Sequence, residues 1–416
     1  MNPFEEKPIP INDGIDDWAS IYPVSYSKQR IDPYTKLRII LSNCVEVGEI
    51  LFKNIFLCNC TNNDLRREVS LLRRIEQQQQ KHINWLKPID ETTLETTIGY
   101  EHLEVALTAC LAQNEPDGYV KQVFEFSLIE DLDHLYRFSN LLDLDSQIPA
   151  QQLVQSYVDI TPGRPAIAQH RFPFDSVRHS VDFTKADIAT KLNILIAASC
   201  QQQTENYYMN VGNSYYNDLG RRLYLEIAMI EGDHAGQYRS LIDPNCTWLE
   251  KLLLHEYMEC YLYHSFYNDE PDKAIREVWG RLFQQELSHL QKAVGLLMQY
   301  ENKSFEQVIP NAVFPKLIKF DDTRNYVRTV LKEQVLLTAD RERYAPIDTL
   351  PDDHDYFFYQ DRVNHDIKTV ASHNVVTSHM QKYNIDYRAE EKTNPVDAFA
   401  DRTADNTQIA RSPNKT

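Results

Sequence analysis

Glycine is scarce in this chain, with 11 residues in 416. Long stretches instead repeat apolar residues at i, i+3, i+4 and i+7, and both facts favour helices over sheet. No apolar run reaches the ~18 residues of a membrane span. The start, Met1-Asn-Pro-Phe-Glu-Glu, lacks the basic and apolar regions of a signal peptide. Cysteine is sparse and odd in number, 7 in all, and only Cys58 and Cys60 lie close together. No Cys-x-x-Cys pair exists, which excludes a rubredoxin-type iron or zinc knuckle. Free thiols in a reducing cytosol are expected, hence a cytoplasmic protein. Basic residues are in deficit, 43 Lys and Arg against 61 Asp and Glu, for a net charge of -18. Such a chain repels nucleic acid and anionic membranes, and no local basic patch offsets this, so neither is expected as a partner. Part of the excess acid is a candidate for buried ligand carboxylates.

The length suits two or three domains. Residues 1–35, rich in Pro, Asp and Tyr, read as an irregular extension. Residues 36–142 read as a first helical bundle, with breaks at Asn62-Asn63-Asp64 and Asn114 to Gly118 and a stop at Pro88. A connector over 143–185 carries Pro149, Pro162, Pro165 and Pro173. Residues 186–300 read as a second bundle, broken at Gly212 to Ser214, at Asn217 to Gly220 and at Asn268 to Asp272. Residues 301–380 are expected to hold one helix, Asp322 to Arg343, and an irregular region. The stretch 381–416, polar from about Arg388, is expected to be disordered.

Acid-x-x-His pairs occur at Asp131/His134, Glu231/His234 and Glu286/His289. Composition alone yields roughly two such pairs, so their context carries the information. Glu104 precedes Asp131 by 27 residues, Glu205 precedes Glu231 by 26, and Glu259 precedes Glu286 by 27. Glu49 precedes Glu76 by 27, although the position three beyond Glu76 is Gln79. The midpoints fall on the turn signals. Each unit therefore reads as a helical hairpin whose acidic positions stand level, ~15 Å from its turn. The hairpins also pair at an offset of 155: Glu76 with Glu231, Glu101/Glu104 with Glu256/Glu259, and Asp131/His134 with Glu286/His289. One extra residue brings Cys44/Glu49 onto Cys200/Glu205. This reads as a duplicated two-hairpin unit.

An i, i+3 spacing puts Glu and His on one helical face. In 186–300 that face is otherwise apolar: Leu223, Leu225, Ile227, Met229 and Ile230 precede Glu231, and Val278, Trp279, Leu282 and Phe283 precede Glu286. A charge there is costly unless paired or bound to metal. Four carboxylates offset two divalent ions, and two imidazoles complete a mixed sphere that suits iron or manganese. A Glu on each of two helices with Glu-x-x-His on each of the other two is the arrangement of helical di-metal carboxylate proteins.

On Glu205, Glu231-Gly-Asp-His234, Glu259 and Glu286-Leu-Ser-His289, the chain resembles the ferritin-like, rubrerythrin-like di-iron carboxylate superfamily. The resemblance implies an all-α, duplicated ferritin-like four-helix bundle: eight core helices in four hairpins, plus a C-terminal helical extension. It implies that Glu205, Glu231, His234, Glu259, Glu286 and His289 bind two iron ions, with manganese an alternative. Glu205 and Glu259 would be ligands on the non-histidine helices. Glu231 and Glu286 would bridge or chelate, and His234 and His289 would be terminal. The first half keeps Glu49, Glu76, Glu104, Asp131 and His134, either as a weaker second metal site or as a retired one kept for packing. From His234 to Glu259 and from Gln79 to Glu104 is 25 residues, shorter than the family's crossover. That link suits up-down-up-down connectivity, or hairpins from different halves combining.

Glu256 and Glu101 sit one turn before the ligand candidates, on the same face, and read as surface residues, the alternatives being further ligands or partners that hold the ligands in place. Tyr208 reads as a core residue that could stand near the metals. His82, His255 and His264 read as ordinary helix residues, and His354, His365, His373 and His379 show no ligand spacing. The expected function is an oxidoreductase, a non-haem oxidase, oxygenase or peroxidase, that activates O2 or peroxide. A small-molecule substrate and an electron donor protein would be its partners, with the connector and C-terminal extension covering the site. The alternatives are metal handling, meaning ferroxidase, storage or scavenging, and a non-enzymatic helical scaffold.

Overall fold

Among the described residues, eight long helices carry the fold, and each begins on a side chain able to hold free backbone N–H groups. Asp32, Asn62, Thr92 and Asp117 start the first four. Asp187, Asn217, Thr247 and Asp272 start the second four. Thr92 and Thr247 form full capping boxes with Glu95 and Glu250. The fourth and eighth helices end on Gln147 and Asn302, both left-handed, at φ 55° and 53°.

The computed structural model describes residues 1–384. Short turns at Pro3–Glu5 and Ile11–Gly14 and the helix α1 (Trp18–Ile21) lead into α2 (Pro33–Asn59) and α3 (Asn63–Trp85). Then come α4 (Thr93–Asn114) and α5 (Gly118–Ser146). A connector holds α6 (Gln151–Val154) and α7 (Ala166–Gln169). It leads to α8 (Ile188–Ser214), α9 (Asp218–Ser240), α10 (Trp248–Asp269) and α11 (Lys273–Glu301). The long helices form hairpins A (α2–α3), B (α4–α5), C (α8–α9) and D (α10–α11). The molecule is mostly helical, and no described helix is long and apolar enough to cross a membrane.

Helix bounds recur at a constant displacement of 155: 33–59 with 188–214, 63–85 with 218–240, 93–114 with 248–269, and 118–146 with 273–301. No extra residue separates α2 from α8. The expected match of Glu49 with Glu205 is therefore corrected, because Glu49 corresponds to Thr204, and Glu205 to Ile50.

Within each half the hairpins touch through their first helices, α2 on α4 and α8 on α10, and the clustered side chains lie between hairpins of different halves. Across hairpins, α2 packs on α10 and α3 on α11, while α4 packs on α8 and α5 on α9. The expected bundles 36–142 and 186–300 are thus each divided, and A faces D while B faces C. Two buried carboxylates tie this arrangement. Glu115, at the turn of B, accepts from Asn193 Nδ2 (2.8 Å) and from the Thr190 hydroxyl on α8. Glu270, 155 residues later, accepts from Thr35 Oγ1 (2.6 Å) and Arg38 Nη1 (3.3 Å) on α2. At the centre α2 crosses α8, where a Cβ on Gly48 would lie 2.6 Å from Ser199 Oγ. Only glycine permits that approach.

Helix α5 is buried on every face from Phe126 to Leu142, so it needs cover beyond hairpin C. The connector supplies part of it. Gly163 lies so close to α5 that a Cβ would overlap Ile129 O, at 1.9 Å, and this docking fixes Arg164 and α7. Beyond α11, the expected helix to Arg343 is shorter: α12 (Arg324–Gln334) gives way to β1 (Leu337–Asp340), paired antiparallel with β2 (Arg343–Pro346). Arg341, at φ 57°, stands in the tight turn that joins the two strands. The region read as irregular holds α13 (Asp355–Val363) and α14 (Ala371–Tyr383), so the boundary at 380 falls inside a helix. The N-terminal extension, also read as irregular, is partly helical. Of the tail expected to be disordered, 381–416, residues 381–383 belong to α14, and residues 385–416 lie outside the described residues.

Candidate metal centres

Facing hairpins B and C bring Glu101 and Glu104 of α4, Asp131 and His134 of α5, and Glu231 and His234 of α9 into one interior cluster. All six are essentially inaccessible to solvent. The donor atoms form two groups that share Glu231: Glu101, His134 and Glu231 in one, Asp131, Glu231 and His234 in the other. Within each group the donor atoms lie within 4.8 Å of one another. His134 Nδ1 is 2.8 Å from Glu231 Oε1. His234 Nδ1 is 3.3 Å from Asp131 Oδ1 and 3.5 Å from Glu231 Oε2. Glu101 Oε2, Asp131 Oδ1, Glu231 Oε2 and His234 Nδ1 have no hydrogen-bond partner, a costly state for buried atoms that bind nothing.

The outer nitrogens of both imidazoles are fixed. His134 Nε2 meets Gln169 Oε1 at 2.9 Å. The Gln169 amide is oriented by its Nε2, which donates to Asp133 Oδ2 (3.1 Å) and Arg164 O (2.7 Å), so Nε2 of His134 is the donor. His234 Nε2 lies 2.7 Å from Glu130 Oε2. Glu130 is held below the usual carboxylate range: burial, which pushes it up, is outweighed by the buried guanidinium groups of Arg171 and Arg164. In their neutral forms both rings therefore turn a lone pair at Nδ1 into the cluster. Metal-bound histidines are held in this way, with the far N–H on a carboxylate or carbonyl.

Hairpin C's first helix supplies no ligand carboxylate. It offers Cys200, Gln201 and Thr204, which donate to Glu104 at 3.3, 3.0 and 2.6 Å, and Tyr208, which donates to Glu101 Oε1 at 2.6 Å. Burial and like charge push Glu101 and Glu104 well above their ordinary range, and burial raises Asp131. Glu231 is drawn down to about 2, because burial is outweighed by His134 and His234. Both histidines are raised, their burial outweighed by the surrounding carboxylates. With the rings neutral and all four carboxyls ionised, Glu101, Glu104, Asp131 and Glu231 would carry four negative charges, the complement of two divalent ions.

Hairpins A and D build a second cluster from Glu46, Glu49, Lys53, Glu76, Glu256, Glu259, Glu286 and His289, all fully buried. No residue is shared with the first. Lys53 Nζ pairs with Glu49 (3.0 Å), Glu256 (3.0 Å) and Glu76. The ammonium is held well above its ordinary value, since its burial is outweighed by Glu256, Glu76 and Glu49. His289 Nδ1 lies 3.0 Å from Glu286 Oε2, and its Nε2 has no partner. Burial of His289 is outweighed by Glu286 and Glu256, which raise it to about 9. Gln79 stands where hairpin C has His234, and its Nε2 donates to Glu286 Oε1.

The six residues expected to form one site are thus not together. Glu231 and His234 lie in the B–C cluster, and Glu259, Glu286 and His289 in the A–D cluster. Glu205 is in neither: it is half-buried and accepts from Gln202 of its own helix at 2.7 Å. The expected second site is divided as well, with Glu49 and Glu76 in A–D and Glu104, Asp131 and His134 in B–C. Glu256 and Glu101, read as surface residues, are fully buried cluster members. His255, read as ordinary, hydrogen-bonds Glu49 through Nδ1. The apolar face read before Glu231 is not whole, since Leu225 and Met229 are exposed. Glu46 and Lys53 were missed, although their spacing with Glu49, i, i+3 and i+7, is one helical face. Glu130, Arg164 and Gln169 had no signal in the sequence. Comparison with protein-family models, curated proteins and solved structures found no match for this chain.

Proposed function

We propose that the B–C cluster holds a pair of divalent transition-metal ions and that the protein is a di-iron, or iron–manganese, carboxylate oxidoreductase acting on O2 or peroxide. The observation that carries the metal reading is the sharing of Glu231 between two donor groups, each with one imidazole. Glu101 and His134 would hold one ion, Asp131 and His234 the other, and Glu231 would bridge them. Glu104 would complete the charge balance. The mixed oxygen and nitrogen set suits iron or manganese. Two-electron reduction of O2 or peroxide is the chemistry such a pair supplies.

The chain's own part is positional. Gln169 and Glu130 fix the two rings. Arg164 and Arg171 keep Glu130 an acceptor, and Tyr208 and Thr204 orient Glu101 and Glu104. Burial removes bulk water. The recurrence of helix bounds at 155 residues supports a duplicated bundle, now with hairpins exchanged between halves, and the ferritin-like resemblance is carried by Asp131/His134 and Glu231/His234. Ferroxidase or scavenging activity is the second reading, favoured by a second carboxylate cluster in the same chain.

The test is metal analysis of the protein after anaerobic loading with Fe(II), followed by optical spectra on exposure to O2. About two iron per chain lost in Glu231→Gln, with ferric absorption developing on aeration, is expected. Failure to retain iron at all would end this reading. A spectrum unchanged by O2 would leave binding but remove the oxidoreductase assignment.

A further inference from the structure

We propose that the A–D cluster is a site for one hard divalent cation, of the magnesium or manganese class, held by Glu46, Glu259 and Glu286. Lys53 takes the place of the second ion. The inference stands on residues separate from the B–C cluster and does not depend on that reading.

The displacement of 155 residues sets the two clusters position against position. Glu256, His289 and Glu76 correspond to Glu101, His134 and Glu231, the first donor group of B–C. In A–D, the ammonium of Lys53 lies against Glu76 and Glu256 of that group. A fixed monovalent cation at these carboxylates opposes a divalent ion there by charge and by volume. The other position differs in the opposite sense. Gln79 replaces His234, which removes the imidazole nitrogen, and Glu46 replaces Gln201, which adds a carboxylate. The donor atoms of Glu46, Glu259 and Glu286 lie within 4.8 Å of one another, and Lys53 makes no ion pair with any of the three.

Three observations point to an absent partner at this second position. Glu259 is completely buried, and neither of its oxygens has a hydrogen bond or an ion pair. Glu46 Oε1 accepts from the Tyr263 hydroxyl, but Oε2 has no partner. Gln79, 1% exposed, donates its amide N–H to Glu286 and leaves Oε1 without a partner. Three carboxylates form an all-oxygen donor set, which suits magnesium, calcium or manganese rather than ions that prefer nitrogen. The chain thus carries two unlike centres, one with mixed donors for two ions and one with oxygen donors for a single ion.

The experiment uses the full chain with the B–C cluster disabled by Glu231→Gln and His234→Ala, stripped with chelator and titrated with Mn(II). Free Mn(II) is read by electron paramagnetic resonance. One Mn(II) per chain is expected, displaced by excess Mg(II). Adding Glu259→Gln, or separately Glu46→Gln, is expected to weaken that binding at least tenfold. Lys53→Met is expected to raise the capacity of A–D from one ion to two. Circular dichroism establishes that each variant is folded before its binding is counted. Absence of Mn(II) from the folded parent, or binding indifferent to both glutamate variants, overturns the site. A Lys53→Met protein that still binds one ion overturns the role given to the lysine. Because B–C is disabled throughout, none of these outcomes bears on the di-metal reading, which the unmodified chain tests separately.

Discussion

Lys53 and Tyr208, 155 residues apart, make the same contact in the two clusters. The Lys53 ammonium lies 3.0 Å from Glu256, and the Tyr208 hydroxyl donates at 2.6 Å to Glu101, the residue 155 positions before Glu256. One member brings a charge and the other a neutral donor. That difference makes one cluster partly self-neutralised, while the other keeps four carboxylates facing two histidines.

Removing the charge should be costly. Lys53→Ala leaves Glu49, Glu76 and Glu256 buried without their common partner, and breaking a buried ion pair from one side costs ~3–5 kcal/mol. Urea denaturation at pH 7 is expected to show a loss of this size. At pH 5, where the carboxyls take up protons, the loss should shrink. An equal loss at both pH values would mean that the lysine acts through packing alone.

Without metal, stability is expected to fall as pH rises from 6 to 9. Glu101, Glu104, Glu76 and Glu259 are all held well above their unfolded values, and His134, His234 and His289 are raised as well, the last to about 9. Groups raised on folding contribute stability that is full below the unfolded pKa and lost as pH climbs through the folded one. Glu231 and Glu49, lowered to about 2, act in the opposite sense, but only in acid, as pH falls towards 2. Each proton released is worth ~1.4 kcal/mol per pH unit. Urea midpoints of chelator-stripped protein should therefore decline over this range, and loading with Mn(II) should flatten the dependence. A stripped protein that gains stability with pH would contradict the assignment of these groups.

Gln169→Leu keeps the volume but removes the acceptor at His134 Nε2. Loss of such an outer partner typically weakens metal binding ~10–100-fold. A competition titration with a chromophoric chelator should show that drop at the B–C cluster and leave the affinity of the A–D cluster unchanged.

Glu205→Ala serves as the contrast. Glu205 lies outside both clusters, accepts from Gln202 and borders Gly232, so metal content should be unaltered and stability should change by no more than ~0.5 kcal/mol. Loss of metal in this variant would return Glu205 to the site.

Much was legible in the residues themselves. Asn62, Thr92, Asp117 and their counterparts mark helix starts because a short polar side chain can satisfy free N–H groups wherever a helix begins. The 27-residue intervals and the 155-residue offset follow from hairpin length, which is a local property. The pairs Asp131/His134, Glu231/His234 and Glu286/His289 were visible for the same reason, since i, i+3 spacing fixes a shared face.

The assignment of those pairs to sites was not local. Spacing along a helix says nothing about which hairpin it will meet, and the choice between neighbouring and exchanged hairpins rests on contacts far apart in sequence. These include Glu115 with Thr190 and Asn193, Glu270 with Thr35 and Arg38, and Gly48 against Ser199. Hence sequence alone determined that acid and histidine stand level on hairpins. Only the tertiary structure decided that Glu231 faces His134 rather than His289, that Glu205 turns aside, and that Arg164 and Gln169 arrive from the connector to hold the rings. Burial is the physical reason: a carboxylate joins a cluster when the packing of four helices leaves it no water, and no local pattern contains that information.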